Sequence, residues 1–131
     1  MNCFTESLIC GNKNIHLYNE SQTHSLYSPF YPKPYLTRYK CVWYVFAYVD
    51  TGFITFTFVE FFVKEYYDKL EIGEGSYESY YTKVFSVSSS DWFPSSVTVN
   101  STSAWVSFKS GYYEYEGRFH IDINLHQAFG K

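Results

Sequence analysis

The sequence has no run of 18 or more apolar residues, so it predicts no membrane-spanning helix. Its first residues lack the basic start and the apolar middle that a signal peptide has. Such a chain is either intracellular or a piece of a larger secreted protein. Two Asn-x-Ser/Thr sequons, at Asn19 and Asn100, favour the second alternative and predict two glycosylation sites. We therefore expect a secreted protein or one on the extracellular face of the cell surface.

Basic runs and catalytic signatures are also missing. The net charge is −3 and no basic run is present, which argues against nucleic acid or an anionic membrane surface as the main partner. The sequence contains no Gly-x-Ser-x-Gly, no His-Glu-x-x-His and no phosphate-binding glycine loop. The 131 residues suit one domain, and no linker or internal repeat divides them. These absences favour a binding domain that is not an enzyme.

Cysteine is scarce, with three residues at positions 3, 10 and 41. No Cys-x-x-Cys is present and the four histidines are scattered, so the spacing does not suit zinc. Three cysteines allow one intrachain pair and leave one residue over. Cys3, close to the N-terminus, is either a free thiol or paired with a neighbouring segment or another chain.

Aromatic residues are abundant, with 15 Tyr, 13 Phe and 3 Trp, as suits half-buried β-sheets. The last predicted strand has apolar residues at every second position: Phe119, Ile121, Ile123 and Leu125. Further strands are predicted over four ranges: 42–47, 53–62, 69–72 and 104–108. The strand at 42–47 is predicted to be buried on both faces. Many short strands without a helical stripe predict a β-sandwich or jelly roll.

Short motifs follow one another in a fixed order along the chain. They read Cys-Gly at 10–11, Ser-Pro-Phe-Tyr-Pro at 28–32, Cys-Val-Trp at 41–43, Tyr-Asp-Lys-Leu-Glu-Ile at 67–72, Phe-Lys-Ser-Gly at 108–111 and Gly-Arg-Phe at 117–119. This order and spacing resemble the CUB domain. The resemblance implies an all-β fold, a CUB-type jelly-roll β-sandwich of two antiparallel sheets. It places the domain at residues 10–126, between tails at 1–9 and 127–131.

The resemblance also implies a disulfide bond between Cys10 and Cys41. Closing a loop of that length would stabilise the fold by roughly 3–4 kcal/mol in the chain-entropy model. The second disulfide of the family is missing, because no cysteine follows Cys41. We expect packing, from tyrosines nearby, to take its place.

In function, the resemblance implies a non-catalytic extracellular protein-interaction module of a larger secreted or cell-surface protein. Its partner would be a protein ligand or a neighbouring domain of the parent chain. Two alternatives stay open. The first is a glycan-binding domain like the spermadhesins, which are nearly bare CUB domains. The second is a structural component of an extracellular matrix or coat, in which Cys3 links chains and a reducing gel would separate them.

Calcium is the cofactor that the resemblance raises. Calcium-binding members take ligands from a Glu, an Asp eight residues later and the Asp of Phe-x-Ser-Asp. Glu60 and Asp68 match the first two, but Gly111 at the third position has no side-chain oxygen. Glu114 could supply a replacement carboxylate. Either Glu60, Asp68 and Glu114 hold calcium, or the first two are solvated or hydrogen-bonded to tyrosine hydroxyls, and the lost carboxylate favours the latter.

Tyrosines cluster in predicted turns at 66–67, 77–81 and 112–115. Loops that carry Tyr, Ser and Gly make adaptable binding surfaces on rigid sandwiches. The predicted ligand-binding residues are therefore Glu60, Tyr67, Asp68, Tyr112 and Tyr113. The alternative is that half of the turn tyrosines cap the edge of the core with their hydroxyls outward.

Overall fold

The computed structural model describes residues 10–63, 68–88, 93–112 and 117–127. These residues form a short 3-10 helix at Tyr80–Thr82 and nine strands: β1 (Asn14–Leu17), β2 (Thr23–Tyr27), β3 (Lys40–Ala47), β4 (Gly52–Phe62), β5 (Lys69–Glu74), β6 (Lys83–Val87), β7 (Ser96–Val99), β8 (Ser103–Lys109) and β9 (Arg118–Gln127). Nothing in these four ranges is a helix long and apolar enough to cross a membrane. Apart from Gln127, where β9 ends, the predicted tails lie outside the described residues.

The strands form two sheets that enclose one apolar core. One sheet has five strands in the order β1-β3-β8-β5-β6, and the other has four in the order β2-β9-β4-β7. The pairings are antiparallel except for β1 and β3, which run parallel because the chain crosses to the other sheet as β2 before it returns. The predicted sandwich of two antiparallel sheets is confirmed, with this one parallel pair added.

Period-two burial is clear in the central strands. The four apolar residues that alternate along β9, from Phe119 to Leu125, are fully buried, and so are Ala104, Val106 and Phe108 of β8. The prediction that β3 is buried on both faces is wrong, since only its core-facing side chains are buried and the opposite ones are half-buried. The outer face of an antiparallel sandwich meets solvent, whereas two-sided burial belongs to sheets covered on both faces.

Trp105 lies on the outer face of the five-stranded sheet and is nevertheless buried. Its ring lies directly over Gly73 of β5, where any Cβ would overlap the indole. Its Nε1 donates a hydrogen bond to Thr82 Oγ1 of the 3-10 helix at 3.1 Å. Gly73 therefore lets the indole lie flat on the sheet, and the 3-10 helix covers this part of the outer surface.

Two features hold the periphery of the sandwich. The disulfide between Cys10 and Cys41 is formed, as the resemblance implied. Four phenylalanines join β4 to β6 and to the segment before β7: Phe58, Phe61, Phe85 and Phe93. The tyrosines nearest to the place of the missing second disulfide, Tyr66 and Tyr67, lie outside the described residues, so the expected replacement by tyrosine packing stays a prediction.

Candidate functional site

The segment between β2 and β3 is tied to the start of β9 and the end of β8. Ser28 N donates to the carbonyl of Phe119, and Phe119 N donates to Ser28 Oγ. Further along, Tyr35 N donates to the carbonyl of Gly117 at 3.0 Å. Ser110 Oγ donates to the carbonyl of Leu36 at 2.7 Å. These bonds fix the segment, and with it the side chains of its tyrosines.

Asp68, just before β5, is a buried carboxylate that joins three parts of the chain. Tyr35 donates its hydroxyl hydrogen to Asp68 Oδ2, and the backbone N–H of Gly111 donates to Asp68 Oδ1, each at 2.6 Å. Only 1% of Asp68 is exposed. A Cβ on Gly117 would meet the ring and hydroxyl of Tyr35, so this glycine makes room for the tyrosine. Asp68 is thus held as an internal bridge.

Glu60, near the end of β4, is the second matched carboxylate and lies at the outer face of the four-stranded sheet. Tyr31 donates to Glu60 Oε1 at 2.6 Å, and Arg118 Nε donates to Glu60 Oε2 at 2.7 Å. The hydrogen bond from Tyr31, followed by that from Arg118, lowers the pKa of Glu60 below its ordinary value. The same bond raises the pKa of the Tyr31 hydroxyl. Glu60 therefore stays ionised and paired within the chain.

These contacts decide whether the described residues fit calcium. All four oxygens of the two carboxylates already accept hydrogen bonds, and one of them pairs with a cation. At the position of the third ligand, Gly111 presents an N–H donor to Asp68, where calcium needs another oxygen. Among the described residues, no group of three or more His, Cys, Asp or Glu side chains could hold a metal ion. The described residues do not fit a calcium ion.

Aromatic side chains surround the Glu60–Arg118 pair. We call this group the aromatic–ion-pair cluster: Tyr27, Tyr31, Glu60, Phe62, Arg118 and His120. Tyr27 stacks on the His120 ring with the centroids 4.6 Å apart, and the Arg118 guanidinium lies over the Phe62 ring at 5.5 Å. Tyr27 and Phe62 are 42% and 43% exposed. His120 of β9 is paired in register with Tyr27 of β2 on one side and with Glu60 of β4 on the other. Two residues earlier in β9, Arg118 is paired with Phe62, so the cluster forms one continuous surface.

The remaining predicted site residues do not belong to the aromatic–ion-pair cluster. Tyr67, Tyr113 and Glu114 lie outside the described residues. Tyr112 is exposed, with the Arg38 guanidinium 5.1 Å from its ring centroid. The sequons Asn19 and Asn100 are both on the surface.

Sequence reasoning missed three residues that contact the matched carboxylates: Tyr31, Tyr35 and Arg118. The first two stand four positions apart in a proline-rich segment between β2 and β3. Their role depends on the fold, because the carboxylates they contact are about thirty residues away in sequence.

The lowered pKa of Glu60 predicts an acid-sensitive contribution to stability. A carboxyl group with a lower pKa in the folded than in the unfolded state binds fewer protons when folded, so acid favours unfolding. Its contribution is present above the unfolded value near 4.5 and is lost as the pH falls through the folded value. We expect Glu60→Gln to lower the melting temperature at pH 7, and the difference from the wild type to shrink below pH 4.5.

Thermal unfolding followed by circular dichroism between pH 3 and 7 measures this difference. Glu20→Gln, at an exposed carboxylate between β1 and β2, is the matched control. A difference between wild type and Glu60→Gln that stays constant over the whole range would contradict the assignment.

Comparison with known proteins identifies the family to which this architecture belongs. The CUB domain model matches residues 10–123. No curated protein matches the sequence. The full extracellular region of zebrafish Gpr126/Adgrg6 has a TM-score of 0.68 at 20% identity, covering 89% of this chain and 15% of that one. The CUB1-EGF-CUB2 domain of human MASP-1/3 has a TM-score of 0.65 at 16% identity, covering 84% of this chain and 40% of that one.

A third solved structure is a single domain of similar size. The MASP-1 CUB2 domain bound to Ca2+ has a TM-score of 0.63 at 18% identity, covering 84% of this chain and 96% of that one. At these identities the structural likeness establishes the fold. The family model, which spans most of the sequence, establishes membership: the chain belongs to the CUB domain family.

Proposed function

We propose that this chain is a non-catalytic extracellular protein-interaction module of a larger secreted or cell-surface protein, and that it binds its partner without calcium. CUB domains are generally extracellular protein-interaction modules that do no chemistry themselves. The chain spans only 15% and 40% of the first two structures it resembles, as a module of a multidomain protein would. The exposed asparagines of both sequons suit an extracellular location.

The observation that carries this proposal is the aromatic–ion-pair cluster. Tyr and Arg are enriched among the residues that dominate the energetics of protein interfaces. Tyr offers a large, rigid contact area that loses little conformational entropy on binding. In this cluster Tyr31 and Arg118 both donate hydrogen bonds to Glu60. Tyr27 stacks on His120 and Phe62 lies against Arg118, and both residues still expose about two-fifths of their surface to solvent. A partner can therefore cover apolar area without leaving the charges of Glu60 and Arg118 unpaired.

Calcium independence follows from the same contacts. In the metal-dependent mode of the family, carboxylates at the positions of Glu60 and Asp68 bind calcium and also contact a basic side chain of the partner. Here Arg118 of the same chain pairs with Glu60, and Asp68 is buried beneath Tyr35 and Gly111. The partner contact is assigned to the aromatic faces instead.

The experiment is a binding screen of the biotinylated, multimerised chain against an array of purified extracellular domains. We expect at least one domain to bind equally in 2 mM calcium and in EDTA. Binding should fall about tenfold or more in Tyr27→Ala/Phe62→Ala, since interface aromatics contribute about 2 kcal/mol when they are truncated at the centre of a contact.

The matched control is Tyr18→Ala/Tyr48→Ala, which removes a stacked, exposed tyrosine pair directly after β1 and β3. This control should bind like the wild type, and all variants should keep the wild-type melting temperature within a few degrees. Loss of binding in EDTA would refute calcium independence. An equal loss in both double variants would refute the assigned surface, and the absence of any binding domain would refute the protein-interaction function.

A further inference from the structure

Three lysines stand side by side on the outer face of the five-stranded sheet. Lys109, the last residue of β8, is paired in register with Lys40 of β3 on one side and with Lys69 of β5 on the other. The residues next to them, Cys41, Phe108 and Leu70, are fully buried in the core. Side chains alternate along a strand, so the three lysines point away from the core. Adjacent strands lie about 4.8 Å apart, so the row spans about 10 Å.

This lysine row (Lys40, Lys69 and Lys109) works against folding. Like charges directly opposite each other across strands repel and destabilise a sheet. In the described part of the chain, Lys40 has an ion pair with Glu78 at 3.3 Å, whereas neither Lys69 nor Lys109 has one. The next carboxylate on this face, Glu71, pairs with Lys83 instead, at 3.0 Å. Among the described residues, two of the three positive charges of the row therefore have no ion-pair partner, on a chain whose net charge is −3.

The lysine row lines a surface pocket of about 580 Å³ together with Arg38, Tyr39 and Tyr112. Its described lining contains four cationic side chains and no carboxylate. Arg38 has a backbone φ of 64°, a left-handed conformation that non-glycine residues rarely adopt, and its N–H donates to the carbonyl of Gly111 at 2.9 Å. The Arg38 guanidinium lies over the ring of Tyr112, a residue of the pocket lining that is 68% exposed.

We propose that the lysine row and Arg38 form a binding site for a linear sulfated polysaccharide. Such a chain carries fixed negative charges along its length, so several can meet the cations spaced across three strands at once. Its sugar rings offer apolar faces that suit the exposed ring of Tyr112 and the neighbouring Tyr39. A recess with aromatic walls fits a narrow chain better than it fits a flat membrane. The site is separate from the aromatic–ion-pair cluster, which lies on the other sheet.

The test uses a heparin hexasaccharide as the probe, with isothermal titration calorimetry at 50 and 150 mM NaCl. We expect binding that weakens with salt, because counterions are released when the cations meet the sulfates. Lys69→Ala and Lys109→Ala should each weaken binding about three- to tenfold, as suits the loss of one charge-assisted contact. Lys33→Ala removes the same charge from an exposed position outside the pocket and should change binding less than about twofold.

Two further measurements distinguish a loss of hexasaccharide binding from unfolding and from a failure of the proposed function. Because the row repels itself, the melting temperature of Lys69→Ala/Lys109→Ala should equal or exceed that of the wild type, so weaker binding cannot be ascribed to unfolding. Tyr27→Ala/Phe62→Ala should bind the hexasaccharide like the wild type, which separates this proposal from the proposed function.

Four results would overturn the assignment. They are an absence of binding at 50 mM NaCl, equal binding of a fully desulfated hexasaccharide, an equal loss in Lys33→Ala, and tighter binding to phosphatidylserine vesicles than to the hexasaccharide. The last of these would reassign the row to an anionic membrane surface.

Discussion

Replacing Asp68 with alanine should lower the free energy of unfolding by about 2 to 6 kcal/mol. The carboxylate accepts hydrogen bonds from the Tyr35 hydroxyl and from the backbone N–H of Gly111, and all three residues are buried. Alanine would leave both donors without this acceptor, and each unsatisfied buried donor costs about 1–3 kcal/mol. Urea denaturation followed by tryptophan fluorescence measures the loss, and a change below 1 kcal/mol would contradict the bridging role.

Three variants separate the parts of this bridge. Asp68→Asn keeps the shape and one acceptor oxygen, so its loss should be smaller than that of alanine. Tyr35→Phe removes only the hydroxyl, and a double-mutant cycle of these two changes gives their coupling energy. Gly117→Ala acts indirectly, because its methyl group would meet the Tyr35 ring and displace the hydroxyl from Asp68. We expect it to cost about 1–3 kcal/mol, as overpacking usually does.

The bridge also shows that a carboxylate from a calcium-ligand pattern can join separate parts of the chain through hydrogen bonds. Sequence comparison identifies Asp68 and Glu60 by their spacing of eight residues. That spacing does not reveal that Tyr35 and the Gly111 N–H occupy the oxygens of Asp68, or that Arg118 neutralises Glu60. Each of these groups is a hydrogen-bond donor and takes up a lone pair of the oxygen it contacts, so fewer lone pairs are left for a cation. A stability measurement is therefore more informative about Asp68 than a metal titration alone.

The strands and core were predictable because their signal is local. In β9 the residues Phe119, Ile121, Ile123 and Leu125 alternate with polar ones, and a sheet with one buried face requires that alternation. The same rule failed for β3, where the half-buried outer residues Val42, Tyr44 and Phe46 are as apolar as the core-facing ones. Whether an apolar face of a strand is buried depends on which other elements cover it. The sequence of that strand alone does not show which elements these are.

Pairings across the sheets could not be predicted. Lys40, Lys69 and Lys109 are scattered in the sequence, and no basic run marks them. They become neighbours only through the register of β3, β8 and β5. The burial of Trp105 depends in the same way on Gly73, its partner across β5 and β8. A shift of one residue in either register would turn these side chains to the opposite face of the sheet. The register of the strands thus determines which side chains come together in a site, and tertiary packing determines the register.

Removing the disulfide should have the second large effect on stability. Cys10 and Cys41 are 31 positions apart, and their bond closes a loop that contains β1 and β2. In the chain-entropy model, opening such a loop costs about 4 kcal/mol, because the unfolded chain regains the freedom that the bond removed. A domain of this size is stable by only about 5–15 kcal/mol, so this loss is a large share of the total.

The position of the bond makes compensation by packing difficult. Cys41 is fully buried in β3, and the carbonyl of Cys10 accepts a hydrogen bond from Trp43 Nε1 at 2.8 Å. Without the bond, residues 10–13 are held near β3 by that contact and by a hydrogen bond from Tyr44 N to the carbonyl of Lys13. The parallel pairing of β1 with β3 follows directly after these residues and has only four registered pairs. We therefore expect β1 to loosen together with the N-terminal segment.

The measurement compares Cys10→Ala/Cys41→Ala with the wild type, both in a Cys3→Ser background so that no thiol exchange occurs. Urea unfolding should give the loss of about 4 kcal/mol, and hydrogen exchange should show faster exchange of the β1 amides than of the β9 amides. Trp43→Phe, which removes the hydrogen bond to Cys10 but keeps the disulfide, is the matched control and should leave β1 protected. If the free energy of unfolding of the double alanine variant lies within 1 kcal/mol of the wild-type value, the core alone stabilises the sandwich. The disulfide would then only attach the N-terminal segment to β3.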